Sequence, residues 1–156
     1  MKTHLVSIIA ILAAALSPAS AQQPTTKKRP VGVAADATLF NGKWYRLYLE
    51  ECNWERARQR CSSLGGQLAI APDAPTWAFL KPMTKGLVLW LGATDEKTEG
   101  LWMWIDGTPM TFTAWNRRQP DNARGIEHHL QTIYNGWNDM PKGGKCVGFI
   151  CEWKDK

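Results

Sequence analysis

Four cysteines behind an export-type leader constrain this chain more than any other feature. They stand at Cys52, Cys61, Cys146 and Cys151, so any bond between the early and late groups ties the two ends of a domain together. Lys2 precedes a twelve-residue apolar run over 5–16, and Ser17-Pro18-Ala19-Ser20-Ala21 follows it. Such a run rises about 18 Å as a helix, short of the roughly 30 Å hydrocarbon core of a bilayer. Ala19 and Ala21 fit an A-x-A cleavage site, so residues 1–21 read as a signal peptide. No cysteine follows the run to carry a lipid anchor, and no second stretch is apolar enough to insert in a membrane. The expected destination is secreted or extracellular, or periplasmic in a bacterium, where thiols oxidise. An even cysteine count there implies two disulfides, with three connectivities open. Spacings of nine and five residues lack the close pairs of a structural zinc site.

The 156 residues suffice for one domain. The formal charge of +5 overstates the charge of that domain, because Lys2, Lys27, Lys28 and Arg29 precede it together with Asp36. From residue 37 onward, 15 basic side chains face 13 acidic ones. A surplus of two, with no basic stripe interleaved with aromatics, argues against a nucleic-acid partner. Residues 22–36, rich in Pro, Thr and Lys, read as a flexible leader, and 37–156 as the domain.

Structure is expected to begin near Thr38. Asn41-Gly42 signals a hairpin turn, and beyond it Tyr45, Leu47 and Leu49 alternate with Trp44, Arg46 and Tyr48 as in a half-buried strand. Asn53 is placed to cap a helix whose Trp54, Ala57, Cys61 and Leu64 form one stripe, with Gly65 ending it. A second, shorter helix is expected over 75–80, stopped by Pro82. Strands are expected over 87–93, 101–105 before Asp106-Gly107, 130–134 before Asn135-Gly136, and 147–153. Two early helices and several late strands predict an α+β domain. Trp54, Trp90, Trp104, Trp115 and Trp137 occupy periodic or strand-flanking positions and are expected in its core.

The stretch between Trp115 and Leu130 is long, polar and without periodicity, a pattern that commonly carries function. Gln119, Asp121, Asn122 and Glu127 crowd it with oxygen donors, and Asn138-Asp139 follows Trp137 at the next turn. Three carboxylates and three amides on two loops suit Ca²⁺, which takes six to eight oxygens in irregular geometry. They equally suit plain turns, where Asn and Asp bond their own backbone. His128 and His129 beside Glu127 invite thoughts of catalysis or zinc, but neighbours on a strand point to opposite faces and cannot share one ligand.

Several short signatures arrive in one order. They are Trp54, Ala57, Cys61, Gly65-Gly66 and Leu68; Trp90-Leu91-Gly92; Thr94 to Gly100 with Trp102-Met103-Trp104; Gln119-Pro120-Asp121; Trp137-Asn138-Asp139; and Phe149-Ile150-Cys151-Glu152. In this order the chain resembles a C-type lectin domain over 38–154. The resemblance implies a disulfide-stapled fold with two helices, short antiparallel sheets and a long Ca²⁺-binding loop region. It also implies that Gln119 and Asp121 around a cis Pro120, with Glu127, Asn138 and Asp139, hold both the Ca²⁺ cofactor and two hydroxyls of a sugar. Amide before acid around the proline resembles the galactose-binding members, so the implied partners are glycans with terminal galactose-like sugars. A carboxylate only accepts whereas an amide also donates, so the order selects which hydroxyls are satisfied. Asn122-Ala123-Arg124-Gly125 carries no aromatic ring where such sites often place one. Asp95, Glu99 and Glu127 match part of an auxiliary Ca²⁺ site, but Asn122 and His128 stand where some relatives carry acids, so that ion is expected weak or absent.

The resemblance also implies a Cys61–Cys151 bond from the first helix to the last strand. His129 stands where a member of the usual second pair would be, which leaves Cys52 and Cys146. Nine helical residues span about 13.5 Å and five strand residues about 16.5 Å, so an antiparallel last strand could carry both Cys61–Cys151 and Cys52–Cys146 as rungs of one ladder. Two other readings compete with the lectin: the same fold as a metal-independent protein-binding or adhesive surface, and a hydrolase using Glu127 with a second acid. Glycosidases need two flanking acids, but Asp121, Glu127 and Asp139 look committed to metal, so no enzyme activity is expected. No heptad or collagen-like repeat imposes multivalency, and a monomer is the default expectation.

Overall fold

The computed structural model describes residue 29 and residues 32–154, so the expected signal peptide and most of the leader lie outside the described residues. The end of the expected leader already packs on the domain. Val33 lies against the core, Asp36 pairs with Arg46 at 2.7 Å, and Ala37 is buried.

Strands β1 (Thr38–Phe40) and β2 (Lys43–Tyr48) pair antiparallel across Asn41-Gly42, both with positive φ, as the turn signal predicts. β2 departs from half-burial. Both of its faces are covered, since Tyr45 enters one core cluster while Trp44 and Tyr48 enter the other. Helix α1 (Trp54–Ser63) starts at Asn53, whose Oδ1 accepts the Arg56 N–H at 2.9 Å. It buries Trp54, Ala57 and Cys61 and gives way to Gly65 at φ 76°.

Helix α2 (Ala74–Thr84) runs longer than the sequence suggests, with Pro82 inside it rather than ending it. Proline removes the bond to the carbonyl four residues earlier and crowds that carbonyl with its ring. That carbonyl belongs to the exposed Ala78, so water can take the bond, and the helix continues to Lys85 in the left-handed region.

The remaining strands are β3 (Gln67–Leu68), β4 (Leu89–Thr94), β5 (Met103–Trp104), β6 (Glu127–Ile133), β7 (Gly136–Pro141) and β8 (Gly148–Lys154). They form one sheet in the order β1-β2-β8-β4-β6-β7, with β3 on β8 and β5 on β4. β4 and β8 pair in parallel, against the antiparallel expectation. The whole loop region separates these two strands, so no hairpin forces opposite directions. The Cys61–Cys151 disulfide ties α1 to β8 with Cα atoms 5.5 Å apart. Cys52 and Cys146 face each other across an isolated antiparallel bridge, exchanging N–H···O bonds of 3.2 and 3.1 Å, with their thiols unjoined.

Trp54, Trp90, Trp104 and Trp137 are buried and Trp115 is half-buried. Trp137 sits at the centre of an edge-to-face set with Trp77, Trp104, Phe112 and Trp115. Such contacts fix the ring's orientation as well as burying its area. The residue that follows this anchored tryptophan is therefore held in place.

Candidate functional site

The backbone around Trp137 assembles the site. Trp137 N donates to the Ala114 carbonyl and Asn116 N to the Trp137 carbonyl, both at 2.9 Å, so the segment entering the long loop runs beside β7. Gly136 permits this approach, because a Cβ there would meet the Asn116 side chain and the Ala114 carbonyl. The β6–β7 turn consequently falls at Tyr134 and Asn135, with Gly136 already inside β7. Asn138 and Asp139 therefore lie on a strand, not at a turn, and Glu127 opens β6 rather than ending an irregular loop.

The Gln119-Pro120 peptide is cis, and Gln119 N closes a turn on the Asn116 carbonyl at 3.0 Å. A cis bond is accessible chiefly before proline. Beyond it, the buried Asp139 accepts from Asp121 N at 3.2 Å and from Asn122 N at 2.7 Å. Glu127 accepts from Ala123 N at 3.1 Å, and Asn122 Oδ1 accepts from Glu127 N at 3.0 Å. The loop is thus folded around the carboxylates it carries.

Of the five sequence-predicted ligands, Asp121, Glu127 and Asp139 converge, each with an oxygen within 4.8 Å of the others, a set that could hold a metal ion. Burial pushes the Glu127 carboxyl above its ordinary range, and the Asp139 and Asp121 carboxylates add to the rise. Among the described residues, Gln119 Oε1 is buried without a hydrogen-bond partner. The Asn138 amide lies against the Asp139 carbonyl.

A second group gathers Asp95, Glu99 and His128, again within 4.8 Å. The resemblance already puts His128 at a position of the auxiliary site where some relatives carry an acid, and the structure brings its ring to Asp95 and Glu99. The reason is a β-bulge: Glu127 pairs with Pro141 and His129 with Met140, leaving His128 as the extra residue. His128 turns to Asp95, and the buried His129 ring turns away, its Nε2 3.6 Å from Glu96. The two histidines diverge as strand geometry requires.

The family model described as the lectin C-type domain matches residues 50–153. The chain belongs to this family. Among the relatives of this lectin domain is mouse C-type lectin domain family 4 member F, 33% identical over 77% of the chain and 23% of that protein. Mouse CD209 antigen-like protein D is 35% identical over 76% of the chain and 51% of its own length, and chicken hepatic lectin 31% over 72% and 56%. The lectin domain therefore spans about a quarter to a half of these curated relatives. Among solved structures, the mouse scavenger receptor C-type lectin carbohydrate-recognition domain superposes with TM-score 0.74 at 30% identity, covering 80% of this chain and 98% of that one. Herring type II antifreeze protein superposes with TM-score 0.72 at 28% identity, covering 80% of this chain and all of its own. Among the described residues no helix is long and apolar enough to cross a membrane.

Proposed function

We propose that this lectin domain is a secreted, Ca²⁺-dependent carbohydrate-binding protein of galactose-type preference, acting by binding rather than by catalysis. One observation carries the reading: the orphaned, buried Gln119 Oε1 stands two residues before Asp121, which converges with Glu127 at the start of β6 and Asp139 on β7. A buried acceptor without a donor is costly, and a hard cation satisfies it. An all-oxygen donor set from Gln119, Asp121, Glu127, Asn138 and Asp139 suits Ca²⁺ better than a transition metal. The ion would supply open coordination positions for vicinal sugar hydroxyls. The chain's own part is to orient acid and amide around Pro120 so that each hydroxyl meets an acceptor or a donor. The names of hepatic lectin and of the scavenger receptor carbohydrate-recognition domain favour a glycan partner. The leader at 1–21 favours secretion.

The test is retention of the mature protein on immobilised galactose in millimolar Ca²⁺, with elution by chelator and stronger competition from free galactose than from mannose. Equal competition rejects the galactose preference. Partner binding that ignores chelator supports the second reading, a metal-independent protein-binding or adhesive surface, which the likeness to a herring antifreeze protein favours because that molecule shares the fold and is named for another activity.

A further inference from the structure

We propose that Asp95, Glu99 and His128 form a second metal site that selects a transition-metal dication, with zinc(II) as the probe, rather than Ca²⁺. The inference does not rest on the sugar-binding reading, because it concerns a different set of side chains. His128 Nδ1 lies 3.2 Å from Asp95 Oδ1 and 3.2 Å from Glu99 Oε2. One imidazole nitrogen carries either one proton or one lone pair, so it cannot make a full hydrogen bond to two carboxylates at once. A dication at the centre would serve all three atoms. Four-coordinate zinc with bonds of 2.0–2.1 Å has ligand-to-ligand edges of about 3.3 Å, close to the two distances seen.

The donor set decides between metals. Ca²⁺ asks for six to eight oxygens, whereas imidazole with carboxylates suits zinc and its neighbours. Three protein ligands leave a fourth position for water, and the partly exposed His128 and exposed Glu99 give an ion access. The ligands are also held in place. Asp95 is 2% exposed, its Oδ2 accepts from Gly100 N at 2.8 Å, and its own N donates to the His128 carbonyl at 3.2 Å. The bulge at His128 aims the ring at this group while Glu127 serves the other. The turn after β4 and the start of β6 are thereby set to be clipped together by one ion.

The experiment is a zinc titration by calorimetry of the oxidised, metal-stripped, leader-free protein in the presence of millimolar Ca²⁺. It is repeated with His128→Ala, His128→Asp and Asp139→Ala, and with Co²⁺ as a spectroscopic substitute. One equivalent of zinc should bind the parent and Asp139→Ala alike. His128→Ala should weaken binding at least 100-fold, beyond what loss of an outer-shell partner costs. His128→Asp should lose zinc and gain a second Ca²⁺. The Co²⁺ complex should show visible bands that vanish in His128→Ala. Zinc bound equally by parent and His128→Ala overturns the proposal, as does zinc lost with Asp139→Ala, or no binding at 1 mM. Ca²⁺-dependent sugar binding should persist in His128→Ala, so failure here and failure of the lectin reading are separable.

Discussion

Asp139 has two jobs in this structure, and substitutions can separate them. Its side chain is 1% exposed, and it accepts from Asp121 N and Asn122 N while converging with Asp121 and Glu127. A carboxylate has about four lone-pair sites, enough for two N–H donors and a metal bond together. Asp139→Asn keeps one oxygen acceptor but removes a negative charge from three. Unit charges 4 Å apart interact by about 1 kcal/mol in water and about 4 kcal/mol near a protein surface, and a dication doubles this. Taking the low end for a site open on one side, the loss is at least about 2 kcal/mol, or thirtyfold in Ca²⁺ affinity. Asp139→Ala should lose as much and also leave two loop N–H groups without an acceptor. Trypsin should then cut after Arg124 faster than in the parent even without metal. Glu127→Gln should weaken Ca²⁺ comparably with less loosening, since Glu127 holds one N–H where Asp139 holds two. Calorimetry near neutral pH with timed proteolysis reads both effects. A Ca²⁺ affinity for Asp139→Asn within threefold of the parent would refute the assignment.

Three further outcomes are expected. The buried Glu152 accepts from Lys43 at 2.8 Å, Gln67 at 2.9 Å and Ile70 N at 3.2 Å, so Lys43→Met should destabilise by about 2–3 kcal/mol, read by urea melts, less than for a fully enclosed pair because Lys43 reaches solvent. Burial raises the Glu152 carboxyl in the folded state, so its destabilising charge appears as pH rises through that raised value; the variant's deficit should therefore be larger at pH 7 than at pH 4, and a deficit independent of pH would refute this. A non-reducing peptide map of air-oxidised protein should show 61–151 and 52–146 linkages, because a hydrogen-bonded antiparallel pair holds Cα atoms about 5.5 Å apart, within disulfide range; a 52–61 linkage would exclude this arrangement. Gly148→Ala should cost more than 3 kcal/mol or prevent folding, since its Cβ would strike the Tyr48 carbonyl on β2, and a thermal midpoint near the parent's would contradict the strand packing.

Local chemistry made much of the fold legible. Asn53 can cap because its side-chain oxygen accepts from the otherwise unpaired N–H three residues on, and the Trp54, Ala57, Cys61 stripe follows from helical period alone. Asn41-Gly42 turns because both residues tolerate positive φ. Pro82 misled because the cost of proline depends on where the freed carbonyl points, and the exposure of Ala78 is a tertiary fact. The two-sided burial of β2 was equally hidden, since alternation shows which residues face each way but not whether a second layer covers the far face.

Residue identities determined the ligand inventory: which side chains offer oxygen, which nitrogen, and where a proline permits a cis bond. Only the tertiary structure decided their grouping. The segment before the long loop lies beside β7 because Gly136 leaves room, and that contact brings Asp121 to Asp139. At the start of β6, Glu127 joins one group and its neighbour His128 the other, with a bulge between Glu127 and His129 in the ladder. Ligand geometry is a property of distances in space, and a register shift of one residue, invisible to periodicity, is enough to redirect a side chain from one site to the next.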